Sequence, residues 1–175
     1  MTIAMKTGPL EEAIWRVKNG RWAWGYVFAR VVLGALYDNP QIVEGIDAII
    51  PAPAYMEDGS DPRTNHTWWV IKQAMEQDET GLPFVIKPPL ITKKAPTGKM
   101  RSTAGALERK ELAAELYDVL EVPNPALVKG KHIMVFDDVF TTGNTLNAIA
   151  RRLVEAGASK VYGLTLARQP WGGRR

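Results

Sequence analysis

The sequence contains no cysteine and only two histidines among its 175 residues. Without cysteine, neither a disulfide framework nor a thiolate metal site can form. His66 has no second histidine at metal-ligand spacing, so we predict that it is structural and that there is no histidine-based metal site. No stretch approaches the roughly 20 apolar residues of a membrane span, and the N-terminus MTIAMKTGP has no apolar signal core. We therefore expect a cytoplasmic protein without a membrane partner.

Composition and length set broad limits on the fold. The apolar share of 46% and the charged share of 23% are typical of a globular protein. The formal net charge of +3 is compatible with binding an anion but is too small for a dedicated nucleic-acid binder. Because there is no internal repeat and no linker that divides the chain, we expect one domain over residues 1–175. It would hold N-terminal helices in 1–40, a core sheet in 41–170 and a tail in 171–175.

The stretch HIMVFDDVFTTGNT, residues 132–145, is the most informative part of the chain. Four consecutive apolar residues, Ile133 to Phe136, predict a central parallel strand covered on both faces. Asp137 and Asp138 follow where such a strand would end. Ligands of open α/β sheets bind beyond the carboxyl ends of the strands, so the two acids indicate a binding site.

The next segment predicts a βαβ unit. Apolar residues recur at helical spacing, and Gly157 is suited to end that helix in the left-handed conformation. Val161 to Ala167 supplies the following strand. The apolar residues at helical spacing are Leu146, Ile149, Ala150 and Leu153. Strand, helix and strand in this order indicate an α/β fold with a mostly parallel sheet flanked by helices.

In the first 50 residues, we expect two helices and the first strand of the sheet. Pro9 is suited to the first turn of a helix whose Ile14, Trp15 and Val17 would face the core. Residues 21–37 are apolar at nearly every position, which predicts a helix buried on most sides. Residues 46–50 would be the first strand of the sheet. Three tryptophans could stack on bases, but core packing is the interpretation we adopt for Trp15, Trp22 and Trp24.

Two loops have more than one interpretation. Residues 51–55 form either a rigid, ligand-facing loop, with a cis Ala52–Pro53 bond as one option, or an ordinary proline turn. A basic segment is formed by Lys93, Lys94, Lys99 and Arg101. This segment has three interpretations. It is either a flap that carries positive charge onto a polyanionic substrate, or a solvated basic loop, or a contact for nucleic acid. An apolar stripe from about residue 103 to Leu120 predicts a helix after it.

The loop TTGNT, residues 141–145, is suited to bind a phosphate. It lies between a strand and a helix, where backbone N–H groups and the helix dipole attract an anion. The chain lacks both GxxxxGK[ST] and GxGxxG, so it is neither a Walker A nor a dinucleotide loop. Asp137 and Asp138 would repel a bare phosphate, but they would accept hydrogen bonds from the hydroxyls of a phosphorylated polyol. We therefore predict a phosphosugar ligand.

The stretch VFDDVFTTGNT resembles the phosphoribosyl-pyrophosphate signature of type I phosphoribosyltransferases. The continuation AGASKVYGLTLAR is similar to the ComF-like competence-associated branch. Upstream, residues 49–53, the Glu108-Arg109 pair and the Lys18-Asn19-Gly20 turn also resemble that branch. The likeness spans most of the chain and is strong after residue 130.

Three features depart from the ComF-like pattern. The cysteine-rich zinc ribbon that usually precedes this domain has no counterpart here. An Arg-Gly-Phe-Asn segment is reduced to Arg63-Thr64-Asn65, and no glutamine precedes Glu108. The superfamily is therefore the firmer assignment, with a type I phosphoribosyltransferase fold and a small N-terminal hood formed by the first helices.

The resemblance implies a role for each candidate residue. Asp137 and Asp138 would be catalytic, would bind the ribose 2- and 3-hydroxyls, and would contact Mg²⁺ directly or through water. The residues that would hold the 5-phosphate are Thr141, Thr142, Gly143, Asn144 and Thr145. Those that would face the departing pyrophosphate are Ala52, Pro53, Ala54, Lys93 and Lys94, of which Lys94 is counted as catalytic.

Three functions follow from these features. The first is an enzyme that transfers the phosphoribosyl group from phosphoribosyl pyrophosphate to a nitrogen acceptor. The second is a non-catalytic sensor of phosphoribosyl pyrophosphate or nucleotides, and the third is a DNA-uptake accessory whose basic loop contacts single strands. The expected partners are a small-molecule substrate and a second copy in a homodimer. The sequence does not identify the acceptor.

Overall fold

A computed structural model describes residues 1–98 and 106–170, with the backbone alone for residues 106–111. The strands, in chain order, are β1 (Thr2–Met5), β2 (Ala48–Pro51), β3 (Thr92–Lys93), β4 (Leu120–Glu121), β5 (His132–Phe140) and β6 (Lys160–Arg168). The helices are α1 (Gly8–Lys18), α2 (Ala23–Tyr37), α3 (His66–Gln77), α4 (Ala106–Asp118) and α5 (Asn144–Glu155). Short 3₁₀ turns lie at Pro40–Ile42, Pro62–Thr64 and Pro125–Leu127.

Four strands form a parallel sheet in the order β1-β6-β5-β2. The central strand β5 is longer than its neighbour β2, whose last residue Pro51 pairs with Phe136. Strand β6 accompanies β5 to its end, where Phe140 pairs with Arg168. β3 and β4 form a separate antiparallel pair. The predicted α/β class, a mostly parallel sheet flanked by helices, is confirmed.

A hydrophobic core lies on each face of the sheet. Residues of α1, α2 and α3 pack on one face around Met134 and Phe136. Residues of α4 and α5 pack on the other face around Ile133 and Val135. Alternate residues of a strand point to opposite faces, so the apolar run of β5 supplies both cores. This explains why the run shows no polar alternation.

The sheet begins earlier than expected, because β1 at Thr2–Met5 precedes the strand predicted as the first. β1 is a four-residue edge strand and its residues are only partly buried, so it has no periodic pattern to reveal it. The strand predicted at 46–50 is β2, Ala48–Pro51. The helices of residues 1–40 pack on the sheet. The sheet thus extends into the region expected to hold N-terminal helices, and the single domain over residues 1–175 stays a prediction.

Several local predictions are corrected as well. Trp15 is 63% exposed, and Tyr26 and Val27 of α2 are also exposed, so neither helix buries its apolar residues as completely as predicted. Leu120 lies in β4 rather than at the end of a helix. The cis proline bond is Lys87–Pro88 and not Ala52–Pro53. Among the described residues, no helix is long and apolar enough to cross a membrane.

Other local predictions are confirmed. The helix expected at Pro9 is α1, which carries proline in its first turn. α5 ends next to Gly157, whose φ of 105° is left-handed as predicted. The following strand is β6 and pairs in parallel with β5. The expected tail at 171–175 lies outside the described residues.

Candidate functional site

The two acids lie within β5, not beyond its end. The prediction that the strand stops before Asp137 is wrong, because β5 continues through both acids to Phe140. The cause is β6, which pairs with β5 residue by residue and keeps Asp137 opposite Thr165. On the other side, β2 stops at the level of Phe136. Both acids therefore lie at the carboxyl end of the shorter strand β2, which is where ligands of such sheets bind.

Asp138 contacts two side chains from outside the signature stretch. Lys18 Nζ lies 2.5 Å from Asp138 Oδ2, and His66 Nε2 lies 3.0 Å from the same oxygen. The Asp138 residue is only 9% exposed. Burial by itself raises the pKa of Asp138, but the nearby His66 and Lys18 outweigh it and hold that pKa well below its usual range. Asp138 is therefore a carboxylate at neutral pH.

Two helix ends bring these partners to Asp138. Lys18 is the last residue of α1, and His66 is the first residue of α3. The start of α3 is fixed by Asn65, whose side chain accepts a hydrogen bond from the Trp68 N–H at 3.1 Å. The imidazole of His66 faces an acid of the candidate site, and the structural role predicted for His66 stays a prediction.

Sequence reasoning missed both partners of Asp138. Lys18 belongs to the Lys-Asn-Gly turn and His66 follows Asn65, a residue type that often caps helices, so each had a local signal. Neither signal indicates a contact with a residue as far away in the chain as Asp138. Only the packing of α1 and α3 on one face of the sheet brings both side chains to β5.

Asp137 has a different environment from its neighbour. Its side chain is partly buried, and its Oδ1 accepts a hydrogen bond from the Asp138 N–H at 2.9 Å. Burial and the charge of Asp138 raise the pKa of Asp137 to about 6. Lys18 and His66 lower that pKa only in part. Asp137 is thus the acid of the pair whose charge changes near neutral pH.

The predicted phosphate loop lies directly after β5. Thr141, Thr142 and Gly143 form the loop, and α5 begins at Asn144. Gly143 caps the helix in the left-handed conformation with φ of 81°, and its backbone carbonyl accepts the first helical hydrogen bond from the Asn147 N–H at 2.8 Å. The first N–H groups of a helix have no partner within it and attract anions. The loop therefore has the backbone arrangement of an anion site.

A side chain at Gly143 would press against the ring of Phe140. A Cβ there would lie 3.0 Å from Cε2 of the Phe140 ring. The guanidinium carbon of Arg168 lies 5.6 Å from the centre of the same ring. Glycine at 143 is thus favoured by the positive φ, and the Phe140 ring leaves little room for a side chain.

The proline loop is hydrogen-bonded to the middle of β5. Ala52 N–H donates to the Phe136 carbonyl at 2.8 Å, and the Thr67 hydroxyl donates to the Ala52 carbonyl at 2.8 Å. Pro53 and Ala54, which follow, line a pocket of about 290 Å³ that is also lined by Trp68 of α3. The loop therefore connects the acid-bearing strand to the start of α3.

The basic segment divides between two places. Lys93 lines the same pocket as Pro53 and Ala54, and its Nζ donates to the Thr97 hydroxyl at 2.6 Å. Burial lowers the pKa of Lys93. Lys94 instead forms an ion pair with Glu121 of β4. Lys99 and Arg101 lie outside the described residues, so the predicted flap is described only in part.

The carboxyl-terminal part of the chain, with β5, the phosphate loop, α5 and β6, carries all the elements that bear the signature. Residues 90–174 match the phosphoribosyl transferase domain family. This match supports the predicted superfamily over this part of the chain. The ComF-like branch stays a prediction.

Similar proteins carry related names. Over 82 residues the chain is 38% identical to adenine phosphoribosyltransferase of Rhodospirillum rubrum. The matched stretch covers 46% of this chain and 42% of that relative. The chain thus spans less than half the length of this curated relative. Hypoxanthine phosphoribosyltransferase structures from Staphylococcus aureus and Trypanosoma cruzi superpose with TM-scores of 0.45 and 0.42 at 14% and 13% identity. They cover 83% and 94% of this chain, and 64% and 69% of those chains.

The acid pair fits a magnesium ion only together with a ligand. Among the described residues, no three acidic, histidine or cysteine side chains are grouped so that they could hold a metal ion alone. Mg²⁺ is commonly held by one or two carboxylates, with substrate phosphates and water as the other ligands. Asp137 and Asp138 supply that number of carboxylates, and Lys18 already neutralises part of their charge.

Proposed function

We propose that this protein is a phosphoribosyltransferase that binds phosphoribosyl pyrophosphate with Mg²⁺ and transfers the phosphoribosyl group to a nitrogen acceptor. The observation that carries the proposal is the continuous path from Asp137 and Asp138 on β5 to the loop at the start of α5. The acids accept from sugar hydroxyls, and the loop attracts the phosphate of the same sugar. The family match over residues 90–174 supports the same activity.

Each part of the site has one task in this reaction. Asp137 and Asp138 accept hydrogen bonds from the ribose 2- and 3-hydroxyls, while residues 141–145 hold the 5-phosphate. Ala52, Pro53 and Ala54 form the backbone wall of the pyrophosphate region, and Lys93 provides the positive charge there. Asp137 and Asp138 would hold the magnesium ion, which would supply positive charge to stabilise the departing pyrophosphate.

The acids also affect the reaction itself. Displacement of pyrophosphate at C1 by a nitrogen atom passes through a state with positive charge on the sugar ring. Two carboxylates nearby stabilise that charge more strongly than they stabilise the neutral ring of the substrate. Binding both ends of the sugar also holds C1 in a fixed position for the acceptor.

Isothermal titration calorimetry with phosphoribosyl pyrophosphate and Mg²⁺ tests the donor. We expect binding in the micromolar range, with Asp137→Asn/Asp138→Asn abolishing it. No binding by the native chain at millimolar ligand would contradict the proposal. Release of pyrophosphate is then measured across a panel of bases and amines to find the acceptor.

The same two measurements separate the remaining functions. Binding of phosphoribosyl pyrophosphate without pyrophosphate release from any acceptor would favour a sensor. A DNA-uptake accessory would show salt-dependent affinity for single-stranded DNA that disappears when Lys93, Lys94, Lys99 and Arg101 are neutralised. The homodimer and the cytoplasmic location stay predictions, and sedimentation of the purified protein tests the first of them.

A further inference from the structure

Asp138 has a cationic partner before any ligand is bound. The ammonium group of Lys18 lies 2.5 Å from Asp138 Oδ2, and the Asp138 side chain is 12% exposed. Lys18 is 41% exposed, so its ammonium reaches the carboxylate from the solvent side. The site proposed for magnesium and ribose thus has one of its two carboxylates already neutralised.

The fold determines the position of Lys18. Ile14 and Val17, on the same helix, are buried in the core that contains Phe136 of β5. After Lys18, the Asn19 side chain donates to the Trp15 carbonyl at 2.7 Å, and Gly20 takes a left-handed φ of 83°. The helix therefore ends at a defined place, with its last residue beside the acid pair.

We propose that Lys18 is a resident cation of the acid pair, a positioning residue that holds Asp138 in the free protein and competes with a divalent ion for it. The proposal rests on the proposed function. Two cations that approach one carboxylate repel each other, so Lys18 weakens metal binding to the free protein. A sugar pyrophosphate brings its own oxygen ligands and so offsets that cost. The free protein consequently binds metal weakly and takes it up mainly together with the donor.

Binding of Mn²⁺ without sugar, followed by electron paramagnetic resonance, tests the proposal. Lys18→Met should tighten Mn²⁺ binding by about fivefold, a modest factor because water screens a partly exposed ion pair. Lys18→Arg keeps the charge and should bind like the native chain. Lys6→Met is the matched control. It also removes a lysine, but Lys6 pairs with Glu11 at 3.3 Å and not with Asp137 or Asp138.

Unchanged or weaker Mn²⁺ binding by Lys18→Met would overturn the proposal, as would the absence of binding in both proteins. Equal tightening by Lys6→Met would also overturn it, because the effect would then come from net charge alone. A variant that folds poorly would bind less metal, not more, so damage cannot imitate the expected result. The measurement uses metal alone, and its outcome is therefore separate from binding of phosphoribosyl pyrophosphate, which tests the proposed function.

Discussion

Two pairs of adjacent residues of the same type, Asp137 and Asp138 in β5 and Lys93 and Lys94 at the end of β3, differ in the contacts that their two members make. Asp138 contacts Lys18 and His66, whereas Asp137 lacks such close ion pairs among the described contacts. Lys94 pairs with Glu121, whereas Lys93 lines the pocket beside the proline loop. Successive side chains of extended backbone point to opposite sides, so neighbours in sequence become separated in space. In each pair, one residue thus forms a close ion pair, and the other forms none with the residues that the structure describes.

The acid pair shows what this separation does to charge. Burial and the neighbouring carboxylate raise the pKa of Asp137 to about 6, while His66 and Lys18 keep the pKa of Asp138 well below its usual range. One acid is therefore ionised at every physiological pH, and the other becomes ionised near pH 6.

Removal of the permanent charge should have the largest effect. Asp138→Asn is expected to weaken binding of phosphoribosyl pyrophosphate by about a hundredfold, since each charge-assisted hydrogen bond is worth about 1.5–3 kcal/mol. Calorimetry measures the loss. Asp47→Asn is the control, because Asp47 accepts from the His132 N–H at the opposite end of β5. Equal weakening by both variants would mean that the effect comes from the fold and not from the site.

Gly143→Ala tests whether the acids act together with the phosphate loop. We expect binding of the donor to weaken by about twentyfold, because a left-handed alanine costs roughly 1–2 kcal/mol and its Cβ presses on Phe140. Gly130→Ala is the matched control, with φ of 74° and no heavy atom within 4 Å of the added Cβ. It should lower thermal stability but leave affinity unchanged. Equal affinities of the two variants would exclude the loop from the site.

The pH dependence of binding tests the difference between the acids directly. As pH rises from about 5 to about 8, Asp137 loses its proton and affinity for the donor should increase by about tenfold. The donor phosphate also titrates near pH 6, so the profile is compared with that of Asp137→Asn, which should be flatter. Identical profiles would contradict the assignment of the titration to Asp137.

Stability has the opposite sign for this group. The pKa of Asp137 is raised on folding, so the native state gains stability as pH falls through about 6. Asp138 contributes in the other direction, because its lowered pKa gives stability that is lost only at strongly acid pH. Weaker binding near pH 5 therefore does not follow from unfolding through Asp137, and circular dichroism at the same pH values checks this.

The lysine pair should give the smallest effects. Lys93→Met is expected to weaken pyrophosphate binding by about fivefold, because Lys93 is half-buried beside the pocket. Lys94→Met should change it by less than about twofold, since Lys94 is exposed and paired with Glu121. Competition by pyrophosphate against a labelled donor measures both. A larger loss for Lys94→Met would restore the catalytic role predicted for it and reverse the comparison.

Local signals explain which elements could be predicted. The apolar run of β5, the loop before α5, the glycine after that helix and strand β6 each have their signal within a few residues. The signal failed where it was short or where a partner strand decided the result. Strand β1 has four residues at the edge of the sheet, and β5 continues through its acids because β6 pairs with them.

The sequence by itself determined the α/β class, the acid pair and the loop next to it, because these depend on residue type and spacing along a short stretch. The tertiary structure decided which acid is paired with a cation. Lys18 and His66 come from the ends of two different helices, and their distances to Asp138 depend on how α1 and α3 pack on one face of the sheet. Such contacts join residues far apart in the chain, and no local pattern encodes them.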